Sequence, residues 1–436
     1  MKRKGVNDIE LLLSELDKQQ LCDFIRVECA NDRHFQQRFL SLGTGFLTSP
    51  KFSDYHARIM DMIEEFGDRH GFVEYSKTFR LNRAICQIID EADVAIQNYQ
   101  WDLAQVILDS IAASGEDILY CGDDSAGELG DILHYCFQKW HELSSDELLP
   151  EGKKSELFEL SLTHFAEGCL KEFDWWWDWI QMAIQLADDE EKQGRIIQEL
   201  DKVINIKGDE WGINYNRQVA QRYKLEIMSK RGTPEEQFKF MYDNVSNPDF
   251  RKRLLQMAWD RGDYKEVLRL AVDGATHDSD YAGLVNDWHK WELKVYLQTH
   301  DHAGSLRLYQ YFFFNGGRFG EEAYSMENIY GQMKSIVLED EWKDFVETLL
   351  NEAASSRSHF RMLFIYSQEK MWDRYMDYLR KSPVISELDE APEDVWKLYK
   401  DELIQLYTAC VKSFFQRASG RNAYSEGVSM LRKLIR

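Results

Sequence analysis

The sequence predicts an all-α fold, and within that class an α-solenoid of antiparallel helical hairpins resembling tetratricopeptide repeats. Three observations support this prediction. A short motif recurs in the second half of the chain, runs of β-branched residues with a period of two are nearly absent, and only 6 prolines occur in 436 residues. A repeat of between about 20 and 50 residues is typical of stacked helical hairpins, each of which buries its apolar face against its neighbours.

The recurring motif is an aromatic or polar residue that opens a helix just after a turn, followed by aliphatic residues at helical spacing. Its copies begin at Tyr264, His302, Trp342 and, at a shorter interval, Trp372. The first three are 38 and 40 residues apart. We predict that Tyr264, Trp342 and Trp372 are buried between adjacent helices, where each would lock the preceding hairpin.

Proline residues mark the beginnings of several helices in this region. Thr233-Pro234 and Asn247-Pro248 each combine a capping side chain, proline at the first helical position and acidic residues in the first turn. This order suits the free N–H groups and the dipole at a helix N-terminus. Ala391-Pro392 offers the same proline and acids without a good cap.

The N-terminal half also contains periodic apolar patterns that predict helices. The predicted segments are two short helices within 8–42, then 54–66, 72–96, 101–111, a loop with a helix start in 115–130, 132–143, 155–170 and 173–187.

These patterns suggest three regions. Residues 1–45 form an N-terminal helical segment, 46–210 an acidic helical domain and 211–436 a helical-repeat domain. Glycine, serine, threonine and proline between residues 43 and 50 interrupt the periodicity and indicate a linker.

The charge of the chain limits its partners. The formal net charge is -23, and residues 101–210 hold 26 acidic against 8 basic residues. An acidic body repels phosphate backbones, so general nucleic-acid binding is disfavoured. The excess of acids fits either a basic partner or solubility alone, and we prefer solubility because acids usually occupy outward helix faces.

The cysteines and the apolar runs indicate a compartment. The 7 cysteines include no CxxC or CxC pair, which is typical of a reducing environment. The basic start runs into polar residues, unlike a signal peptide, and no stretch of 18 apolar residues suggests a membrane span. We expect a cytoplasmic protein.

The segment 173–187 is unusually rich in tryptophan. Its apolar side chains cover more than half of a helical circumference, as expected of a helix packed from two sides. Its polar residues, Asp174, Asp178, Gln181 and Gln185, share one narrow strip. Burial in the core is our preferred interpretation, and a partner-binding groove is the alternative. The tryptophans concerned are Trp175, Trp176, Trp177 and Trp179.

A search for catalytic motifs finds no phosphate-binding loop, GxGxxG, HExxH or GxSxG pattern. Two histidine clusters have metal-like spacing: His300-Asp301-His302, and His134 with Cys136 and His141. Each lacks the full ligand set of a structural zinc site. We therefore expect no metal, no cofactor and no catalytic residue.

Two basic clusters remain. Arg217, Arg222, Lys224, Lys230 and Arg231 could meet an acidic partner, although the acidic middle of the chain itself is the preferred counterpart.

At the C-terminus, Arg432, Lys433 and Arg436 are spaced to share one helix face. They could bind an acidic partner, or they could merely complement the helix dipole.

Several segments resemble the region that follows the zinc finger in bacterial SWIM zinc-finger proteins. They are Glu10 to Leu21, Asn247 to Leu254 running into Arg261-Gly262-Asp263-Tyr264, Gly283 to Trp288, Tyr378 to Pro383 and Ala418 to Leu431. The resemblance implies a bacterial, cytosolic helical-repeat scaffold. The CxC and CxH pairs of the finger are absent from this sequence, so zinc binding does not carry over.

The sequence therefore favours a non-catalytic helical-repeat scaffold that binds another protein or peptide. The alternative is a nucleic-acid-associated accessory protein related to SWIM zinc-finger proteins. A third hypothesis is an enzyme whose site is assembled from scattered carboxylates and histidines.

Overall fold

The structure is a computed structural model that describes residues 15–32, 35–36, 39, 51–208, 210–315, 324–417 and 420–435, with the side chains of 231, 421 and 433–435 excepted. Over these residues the chain forms 22 α-helices and no strand. A single isolated bridge joins Val73 and Gly122. The all-α prediction is confirmed. The same described residues contain no helix that is both long enough and apolar enough to cross a membrane.

The chain divides into two compact units, Met1–Asn244 and Val245–Arg436. The helices of the first unit are α1 (Lys18–Asn31), α2 (Phe52–Phe66), α3 (Tyr75–Gln97), α4 (Trp101–Ala113), α5 (Gly115–Tyr120), α6 (Glu128–Ser144), α7 (Glu151–Glu167), α8 (Trp176–Leu186), α9 (Glu190–Ile204), α10 (Trp211–Arg231) and α11 (Pro234–Asp243).

The helices of the second unit are α12 (Pro248–Asp260), α13 (Tyr264–His277), α14 (Ala282–Gln298), α15 (His302–Asn315), α16 (Met326–Ile336), α17 (Trp342–Ser355), α18 (His359–Gln368), α19 (Trp372–Lys381), α20 (Ile385–Asp389), α21 (Glu393–Arg417) and α22 (Gly420–Ile435). Helices adjacent in sequence pack on one another through most of this unit. The solenoid itself stays a prediction.

The recurring motif marks helix starts as predicted. Helices α13, α15, α17 and α19 begin at Tyr264, His302, Trp342 and Trp372. Trp342 is buried, with 8% of its surface exposed, but Tyr264 and Trp372 are only half-buried. The prediction of burial is therefore wrong for these two. A residue in the first helical turn has no preceding turn to cover it, so its burial depends on what the neighbouring helix supplies.

The same kind of turn joins five pairs of successive helices among the described residues, one pair in the first unit and four in the second. We call this turn the αL joint. The residue two before the second helix has a positive φ; these residues are Tyr99, Gly262, His300, Arg357 and Lys370. The next residue donates its backbone N–H to the carbonyl five residues earlier, as Asp263 does to Ala258 at 2.9 Å. This is the bond of a Schellman C-cap. The same residue is the N-cap of the following helix, so the two helices share their boundary.

The predicted caps are also present. Thr233 and Glu236 form a reciprocal capping box at α11, and the Asn247 side chain accepts a hydrogen bond from the N–H of Asp249 at α12. Pro234 and Pro248 occupy the first helical positions. Glu393, directly after Pro392, opens α21.

The division of the chain after Asn244 differs from the boundary suggested near residue 210. Helix α10 packs along α9, and Lys224 on α10 is 2.6 Å from the Asp201 carboxylate on α9. This contact holds α10 in the first unit. It also gives the basic cluster of α10 a counterpart in the acidic part of the chain. Of the predicted segment 1–45, the structure describes 15–32, 35–36 and 39, which include α1, and the remainder lies outside the described residues.

Candidate functional site

The first unit contains an open groove between α6 and α8, with a cavity volume of about 580 Å³. We call it the α6–α8 groove. Its walls are formed by His134, Phe137, Gln138, His141, Glu142, Ser145, Trp175, Asp178 and Gln185. It therefore combines two carboxylates, two imidazoles, two aromatic rings and several neutral polar groups.

Helical periodicity places these side chains on facing surfaces. On α6, His134, Gln138, His141 and Ser145 follow one another at intervals of three or four residues, so they form a single stripe. On the other wall, Asp178 and Gln185 belong to the polar strip of α8, and Trp175 is its N-cap residue.

Two hydrogen bonds tie the walls together. His141 Nε2 is 2.9 Å from Asp178 Oδ1. The Ser144 hydroxyl donates to Gln185 Oε1 at 3.1 Å. These contacts fix the spacing of α6 and α8 and hold the Asp178 carboxylate at the groove.

An aromatic run leads into one end of the groove, where Trp175 lies near the start of α6. The Trp175 ring is 6.2 Å from that of Phe173, which is 5.6 Å from that of Tyr120. Tyr120 is 68% exposed. The first turn of α6 is held by Asp124, whose carboxylate accepts hydrogen bonds from the N–H groups of Leu129 and Gly130.

The floor of the groove is a packed aromatic core. Phe137 contacts Trp179 edge-on at 5.0 Å, and Trp140 contacts the same indole at 5.9 Å. His164 from α7 lies 4.5 Å from Trp179 between ring centroids. Edge-to-face aromatic pairs are rigid and well packed, so the groove is a surface with a fixed base.

His164 carries a displaced pKa. Burial lowers this pKa. The Asp109 carboxylate, 2.6 Å from Nε2, and to a lesser extent Cys169 raise it by more than burial lowers it, so the pKa of His164 is about 9. His164 is therefore a cation at neutral pH, paired with Asp109 behind the groove.

The charge facing the groove is negative. The lining residues include no lysine or arginine. Lys139 on α6 does not line the groove, but its ammonium is 2.8 Å from Asp93 and 2.7 Å from Glu142. One of the two groove carboxylates therefore already has a cationic partner. The side chains of Asp178 and Glu142 remain 24% and 42% exposed, so both carboxylates are accessible to a ligand.

The tryptophans singled out in the sequence divide into two groups. Trp176, Trp177 and Trp179 are 4%, 6% and 0% exposed, so they are core residues, as our preferred interpretation of this segment holds. Trp175 is half-buried and lines the groove. Of the four, Trp175 alone has a face available to a partner.

The two histidine clusters also separate. His134 and His141 both line the groove, but Cys136 faces the core, where its thiol contacts the carbonyl of Leu108 at 3.5 Å. Burial raises the pKa of that thiol well above its ordinary value. Asp301, between His300 and His302, caps α15 by accepting from the N–H of Gly304.

Across the described part of the chain, no group of three or more histidine, cysteine, aspartate or glutamate side chains is arranged to hold a metal ion.

The basic C-terminal cluster is described only in part. Arg432 is exposed on α22. The side chain of Lys433 and all of Arg436 lie outside the described residues.

A larger cavity, of about 1070 Å³, lies among α20, α21 and α22. Its wall includes Val384, Cys410 and Phe414. We take the α6–α8 groove as the candidate site because it brings together carboxylates, imidazoles and an accessible indole.

The groove presents several groups that can bind a ligand. Ser145 supplies the hydroxyl that lines the groove. This hydroxyl donates to the backbone carbonyl of His141, so it is not directed at the His141 imidazole. Among the described lining residues there is no pairing of a nucleophile with a base. Carboxylates, amides and aromatic faces remain, and these are groups that recognise polar and cationic ligands.

Sequence reasoning found Trp175, His134, His141 and Asp178 but did not place them together. Each had been assigned to a local pattern: a tryptophan segment, a metal-like spacing and a polar strip. The feature that could have placed these residues in one site is that α8 has a polar strip and α6 has a stripe of histidines, and two such polar faces can pack against each other. It becomes visible only once the two helices are known to pack.

Comparisons with protein-family models, curated proteins and solved structures find no match. The resemblance to the helical region of SWIM zinc-finger proteins therefore stays a prediction.

Proposed function

We propose that this protein is a non-catalytic helical-repeat scaffold that binds another polypeptide through the α6–α8 groove. The observation that carries the proposal is the groove itself: a fixed aromatic floor, one accessible indole and accessible polar groups on both walls. Helical-repeat proteins commonly bind partners along surfaces between successive helices. A cytoplasmic location, inferred from cysteine usage, belongs to the same proposal.

Affinity capture with the full chain tests this function. Proteins captured by the wild type are compared with those captured by Trp175→Ala, which removes the accessible indole. Trp211→Ala is the matched control, because Trp211 is 70% exposed on α10 and does not line the groove. A partner lost with Trp175→Ala and kept with Trp211→Ala, and then bound directly when purified, supports the proposal. Equal capture by all three proteins contradicts it.

A second candidate function, association with nucleic acid, is favoured by one cluster in the second unit. The Lys294 ammonium lies 4.0 Å from the ring centroid of Trp259 and 4.5 Å from that of Trp291. Lysines beside aromatic faces are typical of single-strand binding surfaces. The net charge of -23 opposes this function, so we rank it second.

Fluorescence anisotropy with a labelled single-stranded oligonucleotide tests the second candidate. Binding that weakens with rising salt and with Lys294→Gln would favour it. Binding that is absent, or that Lys294→Gln leaves unchanged, would eliminate this cluster as a nucleic-acid site.

A further inference from the structure

We infer that the α6–α8 groove recognises a positively charged side chain, that of arginine or lysine, on an extended segment of its polypeptide partner. This inference rests on the proposed function and adds the chemistry of the occupant. It follows from the charge, the aromatic content and the spacing of the groove.

Charge complementarity is the first argument. Asp178 presents a carboxylate whose side chain is 24% exposed, and no lysine or arginine lines the groove. Glu142 is already paired with Lys139, so Asp178 is the carboxylate open to a cation from a partner. The groove also lies within residues 101–210, which contain 26 acidic and 8 basic residues and are the most acidic part of the chain. A cationic segment would be attracted to this region and held in register by the paired charges.

The aromatic residues supply the second argument. A cation above an indole face is attracted by the ring quadrupole. This chain already uses that contact next to the groove, where the Lys171 ammonium lies 5.5 Å from the centroid of Trp176. Trp175 is half-buried at the end of the groove, so its ring can receive a cation from a partner in the same way.

The spacing of Trp175 and Asp178 allows a single cationic side chain of the partner to contact both residues. Trp175 and Asp178 are three residues apart, across the start of α8, which places them on the same side. A guanidinium can stack on the indole while its N–H groups bind the carboxylate, and a lysine ammonium can make a less directional version of both contacts. The run from Phe173 to Tyr120 continues outward from this point, so the flanking residues of a peptide would lie along it.

The inference is tested with peptides of defined charge. A fluorescein-labelled nonapeptide of glycine and serine with two arginines is compared with the same peptide carrying two citrullines, which are nearly isosteric and uncharged. Anisotropy is measured at about 0.15 M salt, where long-range attraction is largely screened. We expect the arginine peptide to bind at least about tenfold more tightly.

Variants of the full chain then localise the binding. Trp175→Ala and Asp178→Asn are each expected to weaken arginine-peptide binding about fivefold to tenfold, since each removes one of the two contacts. Trp211→Ala and Asp61→Asn are the matched controls. Asp61 is an exposed acid on α2 that does not line the groove, so its variant loses the same charge without changing the site. Circular dichroism confirms that each variant is folded.

The outcomes separate this inference from the proposed function. If Asp61→Asn weakens binding as much as Asp178→Asn, the peptide responds only to overall charge, and the inference fails. If the citrulline peptide binds equally well, the cationic occupant is wrong. Should Trp175→Ala abolish capture of a protein partner while neither peptide binds, the groove remains a binding site and only its charge preference is refuted.

Discussion

At the scale of single residues, His164 links the candidate site to the stability of the protein. Its pKa, about 9 in the folded chain, lies above the ordinary value of 6.5. Because the folded state holds this proton more tightly, the pair with Asp109 contributes stability in full below about pH 6.5. We predict that the free energy of unfolding falls as the pH rises from about 6.5 through about 9.

Urea unfolding followed by circular dichroism at several pH values measures this effect. Asp109→Asn removes the carboxylate that raises the pKa, so in that variant the decline above about pH 6.5 should be much smaller or absent. His70→Gln is the control, because His70 is exposed in the loop between α2 and α3. A wild-type stability that is flat between pH 6.5 and 9 would contradict the predicted ion pair.

Residue burial was partly predictable from the sequence. The periodicity of 173–187 favoured core positions for all four tryptophans, because a helix apolar over most of its circumference is packed from two sides. The structure buries Trp176, Trp177 and Trp179 but leaves Trp175 half-buried. The half-burial of Tyr264 and Trp372 was not predictable. Their local pattern matches that of Trp342, and the difference lies in which side chains the neighbouring helix supplies, as Tyr330 does at 5.3 Å from the Trp342 ring.

At the scale of helices and turns, the αL joints can be strengthened. A left-handed conformation costs a residue with a Cβ roughly 1 kcal/mol or more, and glycine avoids that cost. Lys370 occupies this position with φ of 53° and is exposed. We predict that Lys370→Gly raises the free energy of unfolding by about 0.5–1 kcal/mol.

Gly262→Ala provides the opposite change at an equivalent joint. Gly262 has a φ of 73°, and an added Cβ would meet no atom within 4 Å. Its cost therefore comes from backbone strain alone, and we expect a loss of about 1 kcal/mol. Thermal and urea unfolding measure both variants. If both variants lower the stability, the positive φ is not what limits these joints.

The helix starts of the second unit were readable from the sequence because cap and motif residues act locally. Thr233, Asn247 and Tyr264 each signal a boundary within a few residues. The αL joints at Tyr99, His300, Arg357 and Lys370 were not predicted, since none of these residue types marks a positive φ. Helix α5 was also missed as a separate helix, because its glycine and acids resemble those of a loop.

At the scale of the whole molecule, each unit has its own apolar core. The cluster of buried apolar residues in the first unit extends in sequence from Tyr55 to Ile227, and the cluster in the second unit extends from Leu293 to Val411. Because these clusters share no residue, we predict that residues 245–436 fold without the first unit. Neighbour-by-neighbour packing, as in α13 with α14 and α14 with α15, supports such independence.

Expression of residues 245–436 tests this prediction. Circular dichroism should show a helical protein with a cooperative thermal transition. A helical signal that melts gradually, or strong binding of a dye specific for exposed apolar surface, would show that the core of the second unit needs the first.

The αL joint also constrains how the length of this chain can vary. Only three residues lie between the two helices of a joint, and the last of them both donates the C-cap bond of the first helix and is the N-cap of the second, so the joint contains no spare residue. One inserted residue would have to be absorbed by the following helix, which would turn by about 100° and direct its apolar face away from its neighbour. Insertions and deletions should therefore accumulate outside the joints, in stretches such as 67–72 between α2 and α3 or 146–148 between α6 and α7. The second stretch begins one residue after Ser145, which lines the groove, so we expect its length to differ among related proteins without disturbing the groove.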